Sequence, residues 1–305
     1  MSGDSVKDMA ASVKSRLLSI ARRSGKPFQS LLTHYGMERF LFRLSQSPLK
    51  ENFILKGGLL LVGLGLPQAR ATSDIDFLGL MRGDLATVGK LIREIGSAAF
   101  DDGLVYEFDD FNVEGMSENA EYPGIRLTFD AWLSKARIPI QIDVGFGDAV
   151  VPDAREMTFP TLLDMEPPVV KAYSIETIIA EKFEASLDLA ELNSRMKDFY
   201  DIWMLSGADS FHGSVLQNAI MATCQRRGTA LSSQAVVFSE EFSGRSDKQT
   251  QWIAFLRKVQ ISGIVDGFPM IMASIGAFLR PVAYAIENSR SFEKQWPPGG
   301  PWQPR

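Results

Sequence analysis

Two aspartates separated by one residue are the strongest chemical signal in the sequence. Asp74 and Asp76 lie in the stretch Ser73-Asp74-Ile75-Asp76-Phe77. Alternate side chains of a β-strand share a face, so both carboxylates point one way while Ile75 and Phe77 point into the core. Carboxylates this close repel each other unless a cation lies between them, and their oxygens are ligands that suit Mg²⁺ or Mn²⁺. Acidic pairs are common at strand ends, so this pair alone predicts no metal site.

A third aspartate strengthens the metal hypothesis. The segment 138–144 alternates strictly, with apolar side chains on one face and Gln141 and Asp143 on the other. If this strand lies beside the first, Asp143 completes a cluster with Asp74 and Asp76. Three carboxylates on neighbouring strands can bridge two metals about 4 Å apart, which is the arrangement for in-line phosphoryl or nucleotidyl transfer.

A glycine pair upstream of the aspartates is a candidate phosphate-binding turn. Gly57 and Gly58 stand between a short buried strand and an apolar helix. Glycine lets backbone amides approach a phosphate, and the N-terminus of a helix favours an anion. A Gly-Gly pair is more often only a turn. Arg70, Thr72 and Ser73 are placed to add phosphate contacts just before the carboxylates.

A lysine on an apolar helix stripe is the next candidate. Lys182 lies in a helix predicted to begin at Ile175, on the face that carries Ile178 and Ile179. A lysine there must snorkel, pair with a carboxylate or face a ligand. The following helix would form a hairpin that brings Asp198 near Lys182. An internal ion pair and a ligand contact fit this pattern equally.

The elements that position these residues change along the chain from helical to mixed α/β and back to helical. Strands are predicted over residues 53–55, 75–80, 105–108, 112–116, 125–133 and 138–146. Helices are predicted over residues 5–23, 28–45, 59–64, 85–99, 175–192, 197–205, 216–226, 248–260 and 269–286, the last with a break at Pro281. Prolines between 152 and 168 predict an irregular linker, and the Pro- and Gly-rich end predicts disorder. The predicted organisation is N-terminal helices (1–50), an α/β core (51–165), a helical C-terminal domain (166–290) and a disordered tail (291–305).

Composition excludes several functional classes. Cys224 is the only cysteine and His34 and His212 are the only histidines, so an intrachain disulfide, a zinc–cysteine site and a histidine-rich metal site are excluded. The net charge of -5 disfavours a protein that coats nucleic acid. Basic residues concentrated in 1–30 would serve RNA contact or solubility equally. We expect a cytoplasmic protein without a membrane segment, because no signal peptide is visible and the apolar stretch 267–286 is typical of a buried helix pair.

The order and spacing of these motifs resemble the AbiEii/AbiGii toxin family, within the polymerase-β-like nucleotidyltransferase superfamily. The resemblance runs from about Phe28 to about Arg280 and rests on five stretches, 53–58, 72–77, 141–148, 180–185 and 194–201. It implies a nucleotidyltransferase mixed sheet flanked by helices and followed by a helical C-terminal domain. It also implies a metal-dependent enzyme that uses an NTP.

The resemblance assigns a role to each matching residue. Gly57 and Gly58 match the phosphate-cradling turn, with glycine where the wider superfamily often has serine. Asp74 and Asp76 match the metal-binding pair, and Asp143 looks like the third acidic residue.

In the helical half, Lys182 matches the motif lysine expected at the triphosphate. Asp198 matches the downstream essential acid and Asp201 is its companion. Arg195 and Lys197 would add positive charge around the nucleotide.

The function implied is that of a toxin in a toxin–antitoxin or phage-defence pair. Such an enzyme would transfer a nucleoside monophosphate to an acceptor such as the 3′ end of tRNA, and its partner would be a separately encoded antitoxin. One alternative is the same chemistry on a small molecule or a protein. Another is a catalytically silent nucleotide-binding module, and a weaker one is a metal-dependent phosphohydrolase. A cleft between the two halves is the expected place of reaction.

Overall fold

The computed structural model describes residues 3–116, 124–259 and 266–304. The chain forms two compact units. The first consists of Met1–Gly65, Ala71–Gly147 and Arg155–Ala172, and the second of Leu66–Arg70, Asp148–Ala154 and Tyr173–Arg305. The predicted fold class is confirmed, because a mixed sheet flanked by helices is followed by a helical C-terminal region.

The first unit is built around a mixed β-sheet. Its strands are β1 (Phe53–Lys56), β2 (Asp74–Gly79), β3 (Leu104–Gly115), β4 (Ile125–Leu133), β5 (Ala136–Phe146), β6 (Arg155–Thr158) and β7 (Val169–Ala172). Its helices are α1 (Gly3–Ser24), α2 (Phe28–Gln46), α3 (Gly57–Gly63) and α4 (Leu85–Gly96). The strand order is β3-β4-β5-β2-β1-β7-β6.

The register of the central strands follows from their apolar alternation. Along β5, Ile138, Ile140, Ile142 and Val144 are buried on one face. α2 covers this face, and Gly36 of α2 lies so close that an added Cβ would stand 3.0 Å from Ile140 Cδ1. A slip of one residue would turn the apolar set to the other face, so burial fixes the register. The polar side chains of the central strands therefore share the opposite face.

The second unit is a helical assembly with a small three-stranded sheet. Its helices are α5 (Ile175–Leu189), α6 (Met196–Ala208), α7 (Gly213–Arg227), α8 (Glu240–Gly244), α9 (Ser246–Val259) and α10 (Phe268–Glu287). Its strands are β8 (Phe211–His212), β9 (Lys294–Trp296) and β10 (Gln303–Pro304). Ser174 caps α5, because its Oγ accepts a hydrogen bond from the Thr177 amide at 3.1 Å.

Two predictions about strands are wrong. The separate strands predicted at 105–108 and 112–116 are one strand, β3, with an irregularity between Glu107 and Asn112. The predicted irregular linker contains β6, and β7 follows it directly, so that both strands extend the sheet beyond β1. Its prolines lie outside these four-residue strands, where a missing N–H costs no ladder hydrogen bond.

The predicted break at Pro281 is absent from α10. Four neighbours of the proline on this helix, Phe278, Leu279, Val282 and Ala283, are all buried. Their packing offsets the roughly 3 kcal/mol that an interior proline costs a helix. By length and composition α10 is apolar enough to cross a membrane, but it packs against α6 and α7. The helix predicted to end at residue 260 runs to Val259, and residue 260 lies outside the described residues.

The tail predicted to be disordered is ordered through residue 304. Trp302 stacks on Phe278, with ring centroids 5.6 Å apart, and its Nε1 donates to the Phe278 carbonyl at 2.8 Å. Trp296 is buried and its Nε1 donates to the Ser206 carbonyl at 2.8 Å. A high proline and glycine content predicts disorder only where a segment buries little apolar area. The two indoles of this tail bury a large apolar area, so the tail is ordered.

Replacing Trp302 should therefore destabilise the fold. We expect Trp302→Ala to lower the free energy of unfolding by about 1–3 kcal/mol, because a half-buried stacked indole and its hydrogen bond are lost. Chemical denaturation followed by circular dichroism measures this value. The control is Gln303→Ala at an exposed neighbouring position. Equal stability of the two variants would show that the tail does not support the second unit.

Candidate active site

The sheet of the first unit brings Asp74, Asp76 and Asp143 together. β2 and β5 run parallel, with Asp76 directly opposite Asp143 and Asp74 opposite Gln141. One carboxylate oxygen from each aspartate lies within 4.8 Å of the others. Asp143 is buried, while Asp74 and Asp76 are half-buried. The common strand-face parity predicted for these residues thus produces an acidic triad.

The donor chemistry of the triad fits a hard divalent cation. All three groups offer carboxylate oxygens, the ligands that Mg²⁺ and Mn²⁺ prefer over nitrogen or sulfur. Thr72 Oγ1 donates a short hydrogen bond to Asp74 Oδ1, which fixes the orientation of that carboxylate. The triad is therefore a candidate metal centre with one member already oriented by a neighbouring hydroxyl.

Gly57 is required by the close approach of Asp76. Its φ is +68°, a conformation that L side chains rarely adopt, and an added Cβ would collide with the Asp76 carboxylate. Gly57 and Gly58 form the first turn of α3, and Gly58 is buried. The glycine pair thus lies against the triad, beside one of its carboxylates.

Arg126 is a residue of this site that the sequence reasoning missed. Its Nε and Nη2 donate to the two oxygens of Asp143 at 2.8 and 2.7 Å, a bidentate ion pair. The hydrogen bonds to Asp143 raise the pKa of Arg126 above its usual range. The hairpin register carried the missing signal, since β4 and β5 pair Leu133 with Ala136 and, counting back, Arg126 with Asp143.

Four strands place a row of two carboxylates and two cations at one level of the sheet. The register pairs Lys56 with Asp76, Asp76 with Asp143, and Asp143 with Arg126. Directly opposed residues share a face of the sheet, so two carboxylates lie between two cations. The row offsets the repulsion that the two aspartates would otherwise feel.

A cavity of about 420 Å³ adjoins the triad in the first unit. Ser73, which precedes Asp74, and Gln141, whose Nε2 lies 3.3 Å from Asp143 Oδ2, both line it. Thr128 and Arg137 add further hydrogen-bonding groups to the lining. None of the three aspartates of the triad lines this cavity, so it meets the triad only through their neighbours Ser73 and Gln141.

The second unit gathers the remaining predicted residues around Lys182. Its Nζ lies 2.8 Å from Asp198 Oδ1 and 2.8 Å from Asp201 Oδ2. Arg70 makes a bidentate pair with Asp201, both distances being 3.1 Å. Arg195 Nε lies 2.7 Å from Asp198 Oδ2. The hairpin of α5 and α6 therefore forms the internal ion pair between Lys182 and Asp198 that the sequence offered as one possibility. The pair is part of a larger network of three cations around two carboxylates.

The charge states in this network follow from competing effects. Burial alone would lower the pKa of Lys182, but Asp201 and Asp198 together raise it above its usual range. Burial would raise the pKa of Asp198, but Lys182 and Arg195 lower it. Asp198 is thus an ionised carboxylate with a cation at each oxygen, which makes it a poor proton acceptor.

The predicted residues of the second unit differ in exposure. Asp198 and Asp201 are buried, whereas Arg195 and Lys197 are exposed. Arg70, predicted as a phosphate contact, is held by Asp201. Lys197 lowers the pKa of Asp198 through space. Asp201 therefore pairs with two cations, Lys182 and Arg70, whereas the sequence predicted it only as a companion of Asp198.

Comparisons with known proteins identify the relatives of this chain. Residues 39–266 match the family described as "Nucleotidyl transferase AbiEii toxin, Type IV TA system". Among solved structures, a chain from H. pylori described provisionally as a nucleotidyltransferase is 15% identical with a TM-score of 0.49, over 86% of this chain and 98% of that one. JHP933 from Helicobacter pylori is 14% identical with a TM-score of 0.48, over 85% and 94% of the two chains. No curated protein matches the sequence significantly.

The Lys182 network predicts a pH-dependent cost of substitution. Lys182→Met leaves Asp198 and Asp201 buried without their shared cation, so we expect a loss on the order of 3 kcal/mol in the free energy of unfolding at pH 7. Asp198 has a lowered pKa in the folded state, so its stabilising contribution is present above its unfolded pKa and is lost as pH falls through the folded one. The difference between wild type and variant should therefore shrink below about pH 4.

Urea denaturation between pH 3 and pH 8 measures this difference. Lys197→Met is the matched control, because it removes an exposed lysine one position from Asp198. If Lys182→Met were as stable as Lys197→Met at pH 7, the network would not support the fold.

Proposed function

The chain belongs to the AbiEii family of nucleotidyltransferase toxins of type IV toxin–antitoxin systems, and from this we propose a metal-dependent transfer of a nucleoside monophosphate from an NTP. The acceptor we propose is a nucleic acid hydroxyl, such as the 3′ end of tRNA. The observation that carries the proposal is the acidic triad of Asp74, Asp76 and Asp143, with oxygens within 4.8 Å of one another. Three converging carboxylates in a nucleotidyltransferase are best explained by a cation that serves phosphate chemistry.

The reaction breaks the phosphoanhydride bond between the α- and β-phosphates and forms a phosphoester to the acceptor. The acceptor hydroxyl gives its proton to solvent water, its oxygen forms a bond to the α-phosphorus, and the bond from that phosphorus to the α–β bridging oxygen breaks. Pyrophosphate leaves. Mg²⁺ or Mn²⁺ held by Asp74, Asp76 and Asp143 would neutralise charge on the phosphates as the bonds change.

The residues around the triad prepare it for this chemistry. Thr72 orients Asp74, and Arg126 holds both oxygens of Asp143. Gly57 gives Asp76 room, and we propose that the backbone of Gly57 and Gly58 binds phosphate, with Ser73 beside it. A pre-oriented set of carboxylates lowers the cost of assembling the site when nucleotide arrives.

We propose that the Lys182 network supplies positive charge to the triphosphate. Three cations surround two carboxylates, so the network carries an excess of positive charge. Asp198 and Asp201 hold Lys182 in place, and the paired oxygens of Asp198 favour this positioning role over that of a base. Arg195, already a member of the network, is exposed, and the exposed Lys197 is placed to add further positive charge there. The cleft between the two halves stays a prediction.

The biological setting is a proposal from the family. We propose that a separately encoded antitoxin opposes this toxin, in a toxin–antitoxin or phage-defence pair in the cytoplasm. The concentration of Arg and Lys in residues 1–30 supports RNA as the acceptor, because phosphate contacts dominate affinity for nucleic acid.

Loss of a triad carboxylate should abolish transfer. We expect Asp74→Asn and Asp76→Asn each to reduce nucleotide transfer by at least 10³-fold, because the cation loses a charged ligand. Purified protein is incubated with each α-³²P-NTP, Mg²⁺, and total RNA, protein or metabolites, and the labelled product is separated. The control is Asp109→Asn, an exposed aspartate on β3.

The labelled class identifies the acceptor. Label in protein or metabolites would replace RNA as the acceptor, and free nucleotide would indicate a phosphohydrolase. Transfer by Asp74→Asn at the rate of Asp109→Asn would contradict the assigned role of the triad.

The role of Asp198 is tested by comparing binding with turnover. We expect Asp198→Asn and Lys182→Ala to weaken nucleotide binding to a similar degree, with a double variant no worse, because the two residues act as one unit. Equilibrium binding of a labelled NTP to the folded fraction measures this. Normal binding with abolished transfer in Asp198→Asn would instead make Asp198 a base.

A further inference from the structure

Arg126 occupies the oxygens that a cation at the triad would need. Its Nε and Nη2 donate to Asp143 Oδ1 and Oδ2, so each oxygen of this carboxylate already has a charged partner. Gln141 Nε2 lies a further 3.4 and 3.3 Å from the same oxygens. Asp143 is the most buried member of the triad, and its carboxylate is already paired with Arg126 of the neighbouring strand β4.

The two partners of this ion pair differ in freedom. The Asp143 side chain is 11% exposed and is fixed at the centre of the sheet, whereas the Arg126 side chain is 39% exposed. A guanidinium on a long flexible stem can leave the carboxylate without disturbing the strands. The geometry thus favours displacement of Arg126 over movement of Asp143 when another cation approaches.

Building on the proposed function, we infer that Arg126 is a positioning residue that competes with the divalent cation for Asp143. With no nucleotide bound, Arg126 offsets the charge of Asp143 and holds that carboxylate in one orientation. Binding of the divalent cation replaces at least one of the two Arg126 hydrogen bonds. Because the cation must displace Arg126, its affinity for the enzyme without nucleotide is low. The cation binds more tightly when the triphosphate is present, because the phosphate oxygens add ligands and negative charge.

Removing the competitor should raise metal affinity without nucleotide. We expect Arg126→Met to bind Mn²⁺ at least about tenfold more tightly than wild type, because the triad gains net negative charge and both Asp143 oxygens lose their charged partner. Arg126→Lys keeps the charge but loses the forked geometry, so its affinity should lie between the two. Titration of the full-length protein with MnCl₂, followed by electron paramagnetic resonance of free Mn²⁺, gives each Kd directly.

A matched control lies on the same hairpin. Arg137 forms an ion pair with Asp130, Nε to Oδ2 at 2.7 Å, and neither residue belongs to the triad. Arg137→Met should leave Mn²⁺ affinity unchanged. Arg126→Gln, which keeps a neutral donor near Asp143, serves as a second variant if Arg126→Met unfolds, and thermal unfolding of each protein shows which variants are intact.

The outcomes separate this inference from the proposed function. If folded Arg126→Met or Arg126→Gln binds Mn²⁺ no more tightly than wild type, Arg126 does not compete with the cation and the inference is overturned. The metal site itself would still be confirmed if Asp143→Asn abolished Mn²⁺ binding. If Asp74→Asn and Asp143→Asn bind Mn²⁺ as tightly as wild type, the metal site and the inference are both overturned. The same holds if neither wild type nor any variant binds Mn²⁺.

Discussion

Repulsion between three carboxylates is the constraint on which the rest of this site depends. Bringing Asp74, Asp76 and Asp143 within 4.8 Å costs free energy that the fold must offset. The sheet offsets it with cross-strand partners, since Arg126 and Lys56 stand at the two ends of the row that contains Asp143 and Asp76. A site whose repulsion is partly offset without metal folds stably and still offers ligands for one.

The second unit buries two carboxylates and offsets the cost of their burial by pairing them with cations. Asp198 and Asp201 are nearly inaccessible, and an unpaired ionised carboxylate there would destabilise the fold by several kcal/mol. Lys182 contacts both, and Arg70 and Arg195 complete the pairing. The nucleotide contact proposed for Lys182 rests on a side chain whose position two carboxylates set before any ligand arrives. We therefore expect a substitution there to change stability as well as the proposed binding.

Local patterns predicted the parts of this structure that depend on periodicity. The alternation around Asp143 placed its side chain on the face shared with Asp74 and Asp76, and the apolar stripe of α5 singled out Lys182. Arg126 was missed because nothing in its own neighbourhood marks it, and only the pairing of β4 with β5 sets it opposite Asp143. The tail was misjudged for a related reason. Its composition resembles a disordered segment, but Trp296 and Trp302 pack against Phe278, which lies far away in sequence. Long-range contacts of this kind are not visible in a local pattern.

The central claim is that the triad of the first unit holds the divalent cation that the reaction needs. A crystal structure of the protein grown with Mn²⁺ and a non-hydrolysable NTP analogue, with anomalous data collected at the manganese edge, tests it directly. We expect an anomalous peak bound by Asp74, Asp76 and Asp143 at roughly 2.2 Å from their oxygens, next to the triphosphate. A manganese peak bound elsewhere on the chain, with Asp143 still paired to Arg126 through both oxygens and no cation among the three aspartates, would contradict it.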